Sequence, residues 1–179
     1  MFRWKSPEKR EPLAPVIKMT FPAIQQIASG LVSQDSLEAA EMLKLALKIY
    51  HSAIHSDLPK CLQESSSLVP WGTIFLQLVG KFIPTDALPS DPEEREKYPW
   101  WKTKKWAYHC LNRLFSRYGN PALLASTNSK HTAFAKAFIT NFAPDILQAY
   151  LKQVEGWIKK EFWMSNKCLA LSAVFFSDW

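Results

Sequence analysis

The chain has 179 residues, 47% of them hydrophobic, which is enough for one ordinary core, and its five glycines leave little room for a turn-rich all-β fold. Its three cysteines, Cys61, Cys110 and Cys168, are spread without CxxC or Cys/His clustering, so neither a zinc site nor a disulfide framework is suggested and a reducing compartment is the default. The net charge of +6 is unevenly spread along the chain.

Met1-Phe2-Arg3-Trp4-Lys5 turns charged and proline-rich at once, and no stretch approaches the ~20 apolar residues of a membrane span, which argues against a signal peptide and a transmembrane helix. Residues 1–15 read as a mobile lead and 16–179 as one helical unit. From Val16 to Val32, Ile17, Phe21, Ile24, Ile27, Ala28 and Leu31 recur at helical spacing, with Pro22 a candidate kink. Ser33-Gln34-Asp35-Ser36 supplies turn and N-cap residue types, with Glu38 three residues after Asp35 as a capping-box partner. A helix to about Ser56 follows. Its apolar side is double, with Ala39, Met42, Ala46, Ile49 and Ala53 flanking Ala40, Leu43, Leu47, Tyr50 and Ile54, so it is expected to be buried against two neighbours. Glu38, Glu41, Lys44, Lys48, His51 and His55 face away. His51 and His55 have the spacing by which two imidazoles can share a metal, but no third ligand is near in sequence and a polar face is the expectation.

Leu68 to Ile83 reads as a mostly apolar helix after a serine-rich turn. Residues 84–98 read as a proline-punctuated acidic loop, with Asp86, Asp91, Glu93, Glu94 and Glu96 set against Arg95 and Lys97. It is either a solvated linker, a contact for basic partners, or a segment that folds back over lysines. Pro99 opens the next helix and Gly119 with Pro121 stops it beyond Tyr118. Trp100, Thr103, Ala107, Cys110, Leu111, Leu114 and Tyr118 form its apolar face, while Lys102, Lys105, His109, Asn112 and Ser116 fall on the other side. After a polar loop around Ser126-Thr127-Asn128-Ser129, an apolar helix is expected from about Lys130 to Lys160, where Pro144 must kink or interrupt the ladder. Met164 to Phe176 begins a last helix, and Phe175, Phe176 and Trp179 suggest an interrupted core.

These helices group as 16–32 with 37–56, 68–83 with 101–118, and 130–160 with 164–179. Pattern alone does not separate an open stack of helical hairpins from a closed bundle; the double-sided helices and the unfinished last pair favour the stack. No nucleophile elbow and no phosphate-cradling glycine loop is present, so no enzyme activity, catalytic residue, metal or cofactor is expected. Trp100, Trp101 and Trp106 interleaved with Lys102, Lys104 and Lys105 could bind single-stranded nucleic acid, but the favoured reading packs the indoles between helices with the lysine stems snorkelling.

The stretch from Asp91 to Pro121, an acidic insertion followed by Pro99-Trp100-Trp101, a lysine-rich amphipathic helix and then Arg117-Tyr118-Gly119, resembles the importin-seven/importin-eight branch of the importin-beta (karyopherin-beta) nuclear transport receptors. The resemblance is moderate over Ala133 to Lys160 and weak but collinear over Pro7 to Ile83. It implies an all-α, HEAT-like helical hairpin stack with 37–56, 101–118 and 164–179 as inner helices. It further implies protein binding in nucleus and cytoplasm: cargo proteins, which in that family include ribosomal proteins and histones, nuclear pore proteins, and release by the GTPase Ran. The family's proteins are several times longer, so the chain looks like a piece from the first half of such a receptor, and its basic balance departs from their usual acidic character. Asp91, Glu93, Glu94, Lys102, Lys105, His109 and Asn112 are the candidate protein-binding residues. The alternatives are a basic helical nucleic-acid-binding domain and a truncated product without independent activity.

Overall fold

The computed structural model describes residues 12–55, 58–83, 88–120, 122 and 132–159. The expected lead up to residue 11, Asp86, the polar loop at 126–129 and the last helix at 164–179 lie outside the described residues. Among the described residues there are helices and no strands: α1 (Leu13–Leu31), α2 (Leu37–Ala53), α3 (Lys60–Gln63), α4 (Ser65–Gly80), α5 (Pro92–Lys97), α6 (Pro99–Tyr118), α7 (Thr132–Asn141) and α8 (Ala143–Lys159). No helix among them is long and apolar enough to cross a membrane.

The helices form two layers. The most extensive contact in the molecule is α2 against α6; α1 packs on α2, α4 packs on α6, and α1 meets α4 on the other side. Successive hairpins α1–α2 and α4–α6 are therefore stacked, and α7 and α8 continue the stack by packing on α6 and α4 respectively. This is the HEAT-like arrangement the double-sided helices imply, because each helix must meet its own partner and its neighbour in the next hairpin.

Local chemistry explains several of the helix ends. Ser36, not Asp35, caps α2: its Oγ accepts a hydrogen bond from the backbone N–H of Ala39 at 3.1 Å, and Asp35 instead pairs with Lys81, so the expected capping box with Glu38 does not form. At the other end of α2, the guanidinium of Arg117 donates to the carbonyls of Ile54 and His55, supplying positive charge where the helix leaves acceptors unpaired. Phe142 separates α7 from α8, and Pro144 lies in the first turn of α8, where a missing N–H is tolerated; the expected interruption thus falls just before the proline. α1 runs through Pro22 unbroken. Its buried seam is Phe21 and Ala28 with half-buried Ile17, Ile24 and Leu31, whereas Ile27 points outward. Met42 and Ile49 of α2 are likewise exposed, so the second apolar stripe of that helix is only partly covered by described residues.

Gly119 ends α6 in a right-handed conformation, φ −86° and ψ −6°. Its glycine is required by proximity rather than handedness, since a Cβ there would stand 2.5 Å from Phe115 Cδ1 and 2.8 Å from the Phe115 carbonyl oxygen.

Small residues let α2 and α6 approach closely. Buried Thr103 and Cys110 of α6 reach the α2 carbonyls of Ala40 at 2.7 Å and Leu47 at 3.5 Å, and the Thr103 hydroxyl shares its proton between the Ala40 carbonyl and the Pro99 carbonyl at 2.9 Å. Thr103→Val keeps the volume but removes this donor in a dry seam. It is expected to cost about 1–2 kcal/mol, seen as a lower urea midpoint at unchanged slope, with Thr103→Ser recovering most of it. An unaltered midpoint would remove the hydroxyl from the account of the seam.

Candidate protein-binding site

The segment expected as an acidic loop contains a helix. Asp91 caps α5 through Oδ1, which accepts from the Glu93 N–H at 3.1 Å; Pro92 takes the first position and Glu93 and Glu94 the first turn. α5 buries no residue of its own and is held by packing on α6 and by Arg95, whose Nε donates to the Pro89 carbonyl. The helical part of the segment lies against α6, beside Lys102 and Lys105.

The result is a cleft of about 880 Å³ between α2, α5 and α6. α2 contributes Lys44 and Lys48, one turn apart. α6 contributes Lys102, Lys105, Trp106 and His109, and α5 contributes Pro92, Glu93, Glu96 and Lys97. The polar faces read separately from α2 and α6 are therefore two walls of one cavity. The helical spacing of Lys44 and Lys48 shows in the sequence that they share an outward face; the wall opposite them does not.

Four of the seven candidate residues, Glu93, Lys102, Lys105 and His109, line the cleft. Asp91 serves as the cap, and Glu94 pairs with Lys97 at 2.7 Å on the exposed side of α5. Asn112 lies outside the lining: its Oδ1 accepts from the Tyr150 hydroxyl at 3.1 Å, tying α6 to α8.

At the deep end of the α2–α6 seam the rings of His51, Trp106 and His109 meet edge to face, with centroids 5.4 Å apart for both histidines against the indole and 6.2 Å between the imidazoles. Burial pushes the His51 pKa down to about 4, reinforced by Arg113, His109 and His55, and burial together with Lys105 lowers that of His109. Both imidazoles are therefore neutral near pH 7. His55 is turned away from a shared metal position, its Nδ1 accepting from Arg113 at 2.9 Å, and no three potential ligands converge among the described residues.

The tryptophan–lysine run divides into structural and accessible parts. Trp100 is buried and its Nε1 donates to the Asp35 carbonyl at 3.1 Å. Lys81, which sequence patterning did not single out, sits 4.2 Å above its ring and also bonds the Gln34 carbonyl and Asp35. Lys104 is buried with Nζ donating to the Lys81 carbonyl at 2.7 Å, so it is a strut between α4 and α6 rather than a surface charge. Of that run, Lys102, Lys105 and Trp106 line the cleft.

Comparison with known proteins places the chain beside a group of long relatives. It is 39% identical over 153 residues to the importin beta-like SAD2 homolog of Arabidopsis thaliana, covering 84% of this chain and 15% of that protein. It is 34% identical over 174 residues to nonsense-mediated mRNA decay protein 5 of Saccharomyces cerevisiae, covering 94% and 16%. It is 31% identical over 161 residues to importin-8 of Homo sapiens, covering 90% and 15%. The chain thus spans about 15% of the length of the curated relatives it matches. No family model and no solved structure matches it.

Proposed function

The chain belongs to the importin-beta family, and from that premise we propose that it is a protein-binding segment of a nuclear import receptor that carries cargo through the nuclear pore between cytoplasm and nucleus. The segment acts by binding, without catalysis. In the whole receptor, contacts with pore proteins and release by GTP-bound Ran complete the cycle. The reading is supported above all by the placement of α5, a short helix whose Asp91, Glu93 and Glu94 are exposed at the rim of the α2–α6 layer. Such carboxylates suit a basic cargo, such as a ribosomal protein or a histone. Exposed charges of this kind act chiefly on encounter, each pair contributing less than about 1 kcal/mol.

The test is the association rate of the chain with a histone-tail peptide across ionic strength. Changing the two acids outside the cleft lining, Glu94→Lys with Asp91→Asn so that the capping oxygen is kept, should slow association measurably at low salt while leaving dissociation nearly unchanged. Equal rates for the parent and the variant at every salt concentration would take α5 out of cargo recognition.

A further inference from the structure

The cleft between α2, α5 and α6 carries more positive charge than its own walls neutralise. Lys44, Lys48, Lys97, Lys102 and Lys105 line it against only two carboxylates, Glu93 and Glu96. Lys44 is paired with Glu41 and Lys97 with Glu94, both outside the lining. Lys48 lies over the Trp106 ring at 5.4 Å, and neither Lys102 nor Lys105 forms a salt bridge with a described residue. At about 880 Å³ the space exceeds what a single ion needs and lies toward the upper end of the ~300–1,000 Å³ of ordinary ligand clefts.

We infer that this cleft docks an acidic peptide segment of a partner protein, with carboxylates received by Lys48, Lys102 and Lys105. The partner is opposite in sign to a basic cargo met by the outer acids of α5, so this inference stands or falls separately from the cargo reading. A peptide fits better than a nucleic acid because base stacking needs an open aromatic face. Trp106 is hemmed by His51, His109 and Lys48, and Trp100 is buried. Glu93 and Glu96 on the α5 wall oppose an incoming carboxylate and offset part of the positive charge of the cleft.

The experiment measures fluorescence anisotropy of a labelled peptide of about 12 residues, alternating Glu and Ser, against the full chain at roughly 50 and 150 mM salt. Lys48→Gln/Lys102→Gln/Lys105→Gln should weaken binding about tenfold, whereas Lys60→Gln/Lys136→Gln/Lys152→Gln, the same charge change at exposed sites outside the cleft, should cost less than about twofold. Glu93→Gln/Glu96→Gln should tighten binding severalfold. The single change Lys105→Gln, at an exposed position, should weaken it about two- to threefold and serves if the triple variant loses its helical circular dichroism. Equal losses in the two triple variants would show that net charge alone attracts the peptide and would overturn the inference. So would an absence of binding at the lower salt, or tighter binding of oligothymidine through the same three lysines.

Discussion

Replacing Trp71 with Ala should lower the stability of this fold by about 3–5 kcal/mol, enough to unfold much of the population of a marginal domain. Trp71 on α4 is fully buried, and its ring meets Phe21 of α1 at 6.2 Å, Tyr50 of α2 at 4.7 Å and Phe75 of its own helix at 5.8 Å. One side chain thus joins the first hairpin to the second across both layers. Its indole Nε1 has no hydrogen-bond partner among the described residues, so part of its favourable packing is offset by an unpaired donor. Trp71→Phe, which removes the donor and keeps much of the ring contact, should therefore cost markedly less than Trp71→Ala. Urea unfolding followed by far-ultraviolet circular dichroism distinguishes the two; equal losses would mean that the donor is satisfied or that the ring contacts matter little.

Acidification should destabilise the α2–α6 seam. The folded pKa of His51 is held near 4 against an ordinary value of 6.5, chiefly by burial and then by Arg113, His109 and His55. The unfolded chain therefore binds a proton that the folded chain refuses. The stabilisation is fully present above about pH 6.5 and is lost progressively as pH falls toward 4. A shift of this size in a fully buried group would correspond to more than 3 kcal/mol, but His51 is only half-buried, and solvent screening reduces the expected loss to about 1–2 kcal/mol. The lowered His109 adds to it in the same direction, because burial and then the nearby Lys105 disfavour its imidazolium. The measurement is the urea midpoint at about pH 7.5 and about pH 4.5 for the parent and for His51→Gln; the substitution should remove a large part of the difference, which isolates the imidazole from the carboxylates that also protonate there. If parent and variant lose stability equally, the seam is not the acid-sensitive element.

Sequence periodicity was a sound guide where a helix is long and has one buried face. All seven residues assigned to the apolar face of α6, from Trp100 to Tyr118, are buried, because a 20-residue helix repeats its pattern several times over and each repeat is evidence for the same orientation. The same logic fails for α5. Six residues with no apolar face carry no period, and an isolated helix of that length is unstable in water, so its existence depends on packing against α6. Lys104 and Asn112 illustrate a second limit. A lysine is read as solvent-facing because burying its charge is costly, yet here the Lys81 carbonyl receives it; an asparagine on the outward face of α6 is half-covered and bonded once Tyr150 arrives from α8.

The sequence by itself determined the helical class, the principal helices, the buried face of α6 and the family, since periodicity, caps and the Asp91–Pro121 wording are local properties of the chain. Only the tertiary structure decided that Lys44 and Lys48 face Lys102, Lys105 and His109 across one cleft, and that α5 roofs it with Glu93 and Glu96. Charge on separate helices becomes a site only when packing sets the distance between them, and that distance is written in the small residues of the α2–α6 seam rather than in the charged residues themselves.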